Sequence, residues 1–246
     1  MKGDKRYDEI AQEYKESKEL SFRKVVEKYS INLMLEDLTG KEIIDLACGE
    51  GIYSRMMKNE GAKNVLGVDI SHEMIELAEK SEKENPIGCT YKVSDVFDLK
   101  PTKKFDIVTG FYLLNYAQKR EDLKRMCQVI FDFLNEGGKF IGFNDNPKNS
   151  PENYTSYRKY GFIKETTENR EEGAYIKYTM FNHGEEGFTF NNYYLSPETY
   201  EEVFKEVGFS NFKWVEAKLD PKEKKNAYWD DFFKDAPFIG ISAEKN

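Results

Sequence analysis

The sequence predicts an α/β protein whose doubly wound, mostly parallel sheet carries helices on both faces. Apolar strand-like runs alternate five times with helix-length segments between residues 41 and 143, which is the pattern of parallel strands joined by helical crossovers. The first run, Ile43 to Leu46, breaks into a small-residue turn with glycines at positions 49 and 51. A Gly-rich turn after a buried strand lets the backbone approach a ligand closely.

The first part of the chain supplies N-terminal helices and five strands. Residues 5–38 carry apolar side chains at three- and four-residue steps, which predicts helix. Ser71 is a natural N-cap for a helix to about residue 84, and the segment Pro86-Ile-Gly88 ends that helix. The other predicted elements are strands at 41–46, 64–69, 89–93, 105–109 and 139–143, and helices at 52–60 and 121–134.

The pattern changes after residue 146. Residues 147–170 are polar and aromatic with little periodicity, whereas 174–181 and 187–195 alternate around Asn182-His-Gly184 and predict an antiparallel hairpin. A helix at 196–207 and strands at 212–215 and 238–243 follow. We therefore expect a single domain over 1–246. Its parts are N-terminal lid helices (1–38), a cofactor-binding core (40–145), a substrate-side insertion (146–195) and C-terminal strands that complete the sheet (196–246).

Composition excludes several classes of function. The formal net charge is -8, with 45 acidic and 37 basic residues, which argues against a broad nucleic-acid-binding face. No apolar stretch approaches the roughly 20 residues that span a membrane, and no apolar signal region follows the N-terminus. Three widely spaced cysteines and only two histidines predict reduced thiols, a cytoplasmic protein and no metal site.

An adenosine-binding site is predicted at the end of the second strand. Asp69 lies 18 residues beyond Gly51, where an acid accepts hydrogen bonds from both ribose hydroxyls of an adenosine. A nicotinamide or flavin fingerprint would have a third glycine in place of Ser54. Asp45 and Glu50 disfavour a diphosphate beside the helix N-terminus and favour a cationic ligand. S-adenosyl-L-methionine carries a sulfonium and an ammonium group and meets this requirement.

Further segments extend this pattern in order along the chain. They are Asp45-Leu-Ala-Cys-Gly49-Glu-Gly51, Gly67-Val-Asp69-Ile-Ser71, Ser94-Asp95-Val96, the segment Phe105 to Asn115, and Asn135-Glu-Gly-Gly138. Together they resemble the motifs of class I S-adenosylmethionine-dependent methyltransferases of the small-molecule type, over roughly residues 40–145. The resemblance implies a seven-stranded Rossmann-like sheet. The stretch from Tyr7 through Tyr14 to Phe22-Arg23 is most similar to toxoflavin N-methyltransferases.

The resemblance also implies roles for individual residues at the cofactor. Ala47, Cys48 and Gly49 would line the methionine moiety, and Asp69 would take the ribose hydroxyls. Arg23 would pair with the methionine carboxylate, unless it is only a surface charge. The other implied cofactor-binding residues are Ile70 and Met74 on the adenine, Asp95 and Val96 at its amino edge, Phe111 below the sulfonium, and Tyr14, which closes over the cofactor.

The segment after the fourth strand narrows the methyl acceptor. Amino-directed nucleic-acid methyltransferases place Asn/Asp-Pro-Pro-aromatic there, whereas this chain has Thr109-Gly-Phe-Tyr-Leu. A wall of aromatic and amide side chains suits a small, planar heteroaromatic or phenolic acceptor, methylated at N or O. The predicted acceptor-binding residues are Tyr7, Phe22, Tyr112, Asn115, Tyr116, Asn144, Asn146, Tyr193 and Trp229.

No residue is assigned as a catalytic acid or base, because displacement at an activated methyl needs mainly alignment and exclusion of water. Two other interpretations stay open. The chain can bind S-adenosylmethionine as a scaffold or sensor without transferring a methyl group. It can also be an adenosine-cofactor oxidoreductase, which Ser54 disfavours. We expect a monomer or homodimer without nucleic-acid or membrane partners.

Overall fold

The computed structural model describes residues 6–181 and 187–246, with side chains described from Ile10 onward. Helices form where the sequence shows amphipathic periodicity, and Ser71 caps one of them by accepting a hydrogen bond from the Met74 amide. The described α-helices are α1 (Arg6–Ser17), α2 (Lys28–Leu35), α3 (Ile52–Asn59), α4 (His72–Glu84), α5 (Arg120–Phe133), α6 (Pro197–Val207) and α7 (Asp230–Lys234).

The strands form two sheets. In the described part of the chain they are β1 (Glu42–Leu46), β2 (Asn64–Asp69), β3 (Cys89–Val93), β4 (Phe105–Phe111), β5 (Leu134–Asp145), β6 (Phe162–Thr166), β7 (Tyr175–Met180), β8 (Phe188–Tyr193), β9 (Ser210–Glu216) and β10 (Phe238–Glu244).

The main sheet has seven strands in the order β3-β2-β1-β4-β5-β10-β9. β1 to β5 pair in parallel, and β10 is antiparallel to both of its neighbours. The strand order reverses its direction of growth between β1 and β4, and α/β folds bind ligands at such a switch point. The predicted fold class, a mostly parallel Rossmann-like sheet of seven strands, is confirmed.

The predicted N-terminal helix over 5–38 is interrupted. α1 ends at Ser17, and the chain re-enters α2 through a wide π-helical turn over Arg23–Glu27. This turn buries Glu27 completely, and the Nη1 atom of Arg23 donates a 2.8 Å hydrogen bond to its carboxylate. π-helical turns are rare and recur at functional sites, and this one faces the carboxyl edge of the sheet through the hydroxyl of Tyr112.

The insertion is a three-stranded antiparallel sheet, β6-β7-β8. The β7–β8 pairing forms the predicted antiparallel hairpin, whose tip at 182–186 lies outside the described residues. β6 is absent from the sequence prediction because Lys164, a charged residue, occupies one of its buried positions. The Lys164 ammonium donates hydrogen bonds of 2.8 Å to Asp145 and 2.5 Å to Asn149. This pairing offsets the cost of burying the charge and ties the insertion to β5.

Two apolar clusters cover the two faces of the main sheet. One face packs against α5 and α6. The other packs against the N-terminal helices, α3 and the insertion, and it is dominated by aromatic rings. Phe22 and Phe238 stack there at 5.4 Å between ring centroids, and Phe162 of the insertion lies 5.5 Å from Phe238. Burial of these rings holds the insertion on the sheet.

The described helices include none that is both long and apolar enough to cross a membrane. All three cysteines, Cys48, Cys89 and Cys127, are buried free thiols. Burial raises the pKa of the Cys127 thiol above its usual range, so this thiol stays protonated near neutral pH.

Replacing Lys164 by Met should lower the free energy of unfolding by about 3 kcal/mol, because the substitution leaves the buried Asp145 carboxylate without its cation. Urea denaturation followed by circular dichroism measures the change. The matched control is Lys177→Met, which removes an exposed pair with Glu165 and should cost less than about 0.5 kcal/mol. Equal effects of the two substitutions would contradict the proposed anchoring.

Candidate functional site

The turn that follows β1 has an unusual backbone. Ala47, Gly49 and Gly51 all have positive φ angles, of 58°, 55° and 79°. A side chain at Gly51 would lie 2.5 Å from the hydroxyl of Tyr91, so this position requires glycine for space as well as for φ. Ala47 is in the left-handed region without being glycine, a strain of about 1 kcal/mol that structures retain at ligand-binding turns.

Asp45 explains why serine occupies position 54. The buried Asp45 carboxylate accepts a 2.6 Å hydrogen bond from the Ser54 hydroxyl and a 2.7 Å bond from the Thr109 hydroxyl. Burial raises the pKa of Asp45 to about 6, although these two bonds work in the opposite direction. Ser54, which occupies the third position of the glycine pattern, therefore stabilises the buried acid Asp45. A diphosphate-binding loop does not need such an acid.

Asp69 lies at the carboxyl end of β2 and joins two turns. Its carboxylate accepts hydrogen bonds from the amides of Gly49, at 2.8 Å, and Ser71, at 2.9 Å. Burial raises the pKa of Asp69 to about 6, while the backbone donors lower it. A carboxylate has about four lone-pair sites. Asp69 therefore keeps acceptor capacity for further donors.

A narrow cavity lies beside the turn, between the carboxyl ends of β1 and β4 and the N-terminal helix. It is lined by five residues that the sequence predicted at the cofactor and by five others, two of which are the acids that the sequence analysis linked to a cationic ligand. The predicted lining residues are Tyr14, Ala47, Cys48, Gly49 and Phe111, and the others are Lys18, Asp45, Glu50, Ile52 and Tyr53. The cavity thus lies where the fold and the motif both place the ligand.

The cavity has the electrostatic character of a cation-binding site. Glu50 is 6% exposed, and its Oε1 atom is buried without a hydrogen-bond partner. An unpaired buried carboxylate oxygen is costly and favours a ligand that brings a positive group. Burial and the nearby acids raise the pKa of the Cys48 thiol well above its usual range. Cys48 is therefore a small neutral wall residue.

A buried ionic cluster lies at the N-terminal side of the cavity. Glu27 accepts hydrogen bonds from Arg23 and from the hydroxyls of Tyr53 and Tyr112, and the Lys18 ammonium lies 3.8 Å from its carboxylate. Burial opposes ionisation of Glu27, but the charges of Arg23 and Lys18 outweigh it and hold the pKa of Glu27 below its usual value. The cluster joins the wide turn to α3 and to the end of β4.

Lys18 and Arg23 differ in their access to the cavity. Lys18 lines the cavity, and its ammonium lies 5.1 Å from the ring centroid of Tyr14 and 5.2 Å from that of Tyr53. Arg23 is 5% exposed and does not line the cavity, and its guanidinium carbon lies 5.6 Å from the ring centroid of Tyr14. The sequence offers no signal for Lys18, because its proximity depends on how α1 packs on the sheet.

The residues predicted at the adenine lie beyond the cavity, around the ends of β2 and β3. The backbone links these ends, since the Ser94 amide donates a 2.8 Å hydrogen bond to the Asp69 carbonyl. Met74 is buried on α4, and Asp95 caps a short 3₁₀ turn by accepting from the Phe97 amide at 3.0 Å. Ile70 and Val96 are half-buried. Their roles at the adenine stay predictions.

Three of the predicted acceptor-binding residues lie at the carboxyl ends of β4 and β5: Tyr112 and Asn115 follow β4, and Asn144 is the penultimate residue of β5. Tyr112 has a positive φ of 63°, and its amide donates a 2.7 Å hydrogen bond to the Phe143 carbonyl. Asn115 and Asn144 are 2% and 1% exposed, and both polar atoms of each amide are without a hydrogen-bond partner. Buried amides normally find partners, so these two side chains retain unused donors and acceptors.

The other predicted acceptor residues are more dispersed. Phe22 packs in the aromatic cluster, and Trp229 is buried and stacked on Tyr160 at 5.4 Å. The Asn146 amide donates to the Ala236 carbonyl and accepts from the Lys148 amide, as in an ordinary turn. Tyr116 and Tyr193 are half-buried, and the side chain of Tyr7 lies outside the described side chains.

Comparisons with known proteins agree with this geometry. Residues 43–138 match the family model described as a methyltransferase domain. An uncharacterized protein of Haemophilus influenzae is 25% identical over 241 residues, which cover 92% of this chain and 89% of that protein. The ubiquinone biosynthesis O-methyltransferase of Coxiella burnetii is 30% identical over 105 residues. The match covers 42% of this chain and 43% of that enzyme, so the chain spans less than half of its length.

Solved structures show the same fold. An S-adenosylmethionine-dependent methyltransferase of Clostridium acetobutylicum superposes with a TM-score of 0.65 at 20% identity, covering 98% of this chain and 99% of that one. A methyltransferase of Mesorhizobium loti gives 0.64 at 20% identity, covering 89% and 97%. These structures establish the fold, and the domain match confirms the predicted class, a methyltransferase, and supports its predicted cofactor, S-adenosyl-L-methionine.

If Asp69 accepts hydrogen bonds from the ribose hydroxyls, as the sequence predicts, affinity for S-adenosylhomocysteine should fall about tenfold between pH 7 and pH 5, because this carboxylate, with a pKa of about 6, loses its charge in that range. Calorimetric titration across this range measures the affinity. A raised acid pKa means that the folded state binds the proton more tightly than the unfolded state. Protonation of Asp69 therefore does not itself destabilise the fold in this window.

Two variants isolate the origin of this pH dependence. Asp69→Asn should bind more weakly and lose the pH dependence, whereas Asp45→Asn should retain it even though Asp45 also titrates near pH 6. If the pH dependence of affinity persists in Asp69→Asn and vanishes in Asp45→Asn, it originates from Asp45, and the ribose role of Asp69 is refuted.

Proposed function

We propose that the protein transfers the methyl group of S-adenosyl-L-methionine to a nitrogen or oxygen atom of a small, planar heteroaromatic or phenolic acceptor. The toxoflavin-type similarity of the N-terminal segment supports this acceptor class. The observation that carries the proposal is the pair of buried, unpartnered amides, Asn115 just after β4 and Asn144 near the end of the neighbouring strand β5. These strands are adjacent to the cofactor cavity, because Phe111 of its lining pairs in register with Phe143.

The cofactor supplies an activated methyl group on a sulfonium, and four parts of the chain would hold it. Asp69 would accept hydrogen bonds from the ribose hydroxyls, and the turn at Ala47–Gly49 would contact the methionine part. Glu50 would pair with the positive ammonium through its unpartnered buried oxygen. Lys18 would pair with the carboxylate, because Lys18 lines the cavity and Arg23 does not. These roles would match the zwitterionic methionine end with charges of opposite sign.

The acceptor side offers recognition groups rather than a strong base. Burial and the charge of Glu27 raise the pKa of the Tyr112 hydroxyl well above its usual range, so this hydroxyl stays protonated and donates to Glu27, which leaves the ring of Tyr112 to contact the acceptor. The positive φ of Tyr112 is a local strain of about 1–3 kcal/mol, and such strain concentrates at ligand-binding positions. Catalysis then depends on alignment and on exclusion of water by the aromatic walls.

A second candidate is a protein that binds S-adenosylmethionine without transferring the methyl group. The packing of Phe22 and Trp229 in the aromatic cluster favours it, because both rings occupy space that the sequence assigned to the acceptor. In this case, the cofactor would bind and the N-terminal helices would respond, with no product formed.

Lys18→Met should weaken S-adenosylhomocysteine binding about tenfold, the loss expected for one charge-assisted contact at a partly buried site. Binding of methylthioadenosine, which lacks the amino-acid group, should stay unchanged. The control is Lys24→Met, an exposed lysine paired with Glu19. If Lys18→Met weakens both ligands equally, or neither, the carboxylate role of Lys18 is wrong.

A panel of acceptors tests the substrate class. Methyl transfer from labelled S-adenosylmethionine should be detected with planar heterocycles or phenols and be absent with aliphatic amines and carboxylates. For an active acceptor, Asn115→Leu and Asn144→Leu should each raise KM by about tenfold, because each removes one recognition group. Transfer to aliphatic compounds alone would overturn the acceptor class. Cofactor binding without any product would favour the second candidate.

A further inference from the structure

We propose that the protein has a second ligand site, which binds a planar aromatic anion in a groove at the far end of the main sheet. The groove has a volume of about 580 Å³, within the range typical of small-molecule sites. It crosses the carboxyl end of β9 and the start of β10. The residues on which the proposal depends are Lys148, Trp214, Lys218, Phe233, Lys234 and Asp235.

The groove is separate from the cofactor cavity, because the two share no lining residue. Phe238 lines the groove and not the cofactor cavity, and its ring lies 5.7 Å from that of Tyr112, which belongs to the ionic cluster beside that cavity. Asn146, one of the predicted acceptor-binding residues, also lines the groove, with its side-chain amide engaged in a turn. A ligand in the groove therefore does not compete with the cofactor.

Aromatic rings are presented from both faces of the sheet. Trp214 packs with the cluster on the α5–α6 face, and Phe233 packs with the cluster on the opposite face. The Trp214 indole is half-buried and fixed, since its Nε1 atom donates a 2.8 Å hydrogen bond to Glu201 and its ring packs edge-on against Phe212 at 5.3 Å. A fixed ring loses little entropy when a planar ligand stacks on it.

The charges of the groove favour an anion. Three lysines line it against two acids, in a protein whose formal net charge is -8. The Lys148 ammonium lies 5.3 Å from the ring centroid of Trp214, so one cation already sits over the proposed stacking surface. One of the acids, Asp235, is engaged by the Ser150 amide and the Asn153 side chain, both at 2.8 Å.

The other two lysines can bind an anionic ligand at a small cost in free energy, because the ion pairs they would give up are weak. Lys218 pairs with Glu216 at 3.1 Å and Lys234 with Asp231 at 2.6 Å, and both ammonium groups are more than half exposed. Exposed ion pairs contribute little free energy and exchange partners readily. A carboxylate or sulfonate on the ligand can therefore recruit them, and the specificity for an aromatic anion follows from Trp214 beneath it.

The test uses 2-naphthoate as the probe and 2-naphthamide as its neutral counterpart. In the Trp229→Phe protein, Trp214 is the sole remaining tryptophan, so its fluorescence reports on the groove. We expect saturable quenching with a stoichiometry of one, and at least about tenfold weaker binding of the amide. Saturating S-adenosylhomocysteine should leave the naphthoate affinity unchanged.

Two substitutions of lysine by glutamate complete the experiment. Lys148→Glu should weaken 2-naphthoate binding by more than about tenfold, whereas Lys222→Glu, an exposed lysine outside the groove, should leave it within about twofold. Circular dichroism checks that both variants are folded. Equal affinity for the neutral amide, an unchanged affinity in Lys148→Glu, competition by S-adenosylhomocysteine, or no saturable binding would each overturn the proposal.

Discussion

One buried carboxylate, that of Glu27, holds the N-terminal helices over the ligand-binding edge of the sheet. It receives a guanidinium, an ammonium and two phenolic hydroxyls from separate parts of the chain. An ionised group without solvent is stable only when such partners surround it. The helical turn that carries Glu27, the start of α3 and the exit of β4 are therefore fixed relative to one another, and the cofactor cavity takes its shape from this arrangement.

The insertion is attached by a similar device with the charges reversed. Lys164 enters the core from β6 and meets Asp145 at the end of β5. The N-terminal helices and the insertion are thus each oriented on the main sheet by a buried charge and not by apolar packing alone. Apolar surfaces tolerate sliding, whereas a buried ion pair is satisfied in one arrangement only. This requirement for a single arrangement fixes the N-terminal helices and the insertion relative to the carboxyl edge of the sheet.

The sequence predicts much of the sheet correctly because the strands have strong local signals. The strands at 64–69 and 89–93 and the Ser71 cap agree residue for residue with the structure. β6 was missed because the buried charge of Lys164 interrupts the alternation that identifies a strand. Tyr53 and Lys18 were not assigned to the site, because their positions depend on helix packing between distant segments. Tertiary packing, rather than any local pattern, places Trp229 beside Tyr160.

The position of β10 has a consequence for how the chain folds. β10 lies between β5 and β9, and its pairing with β5 joins residues that are 93 to 105 positions apart in the sequence, from Phe238 with Asp145 to Glu244 with Lys139. Contacts of such sequence separation form slowly. During synthesis, β1 to β5 can pair before β10 leaves the ribosome. The turn after β1 can therefore form early, whereas the groove that Phe238 lines is completed last.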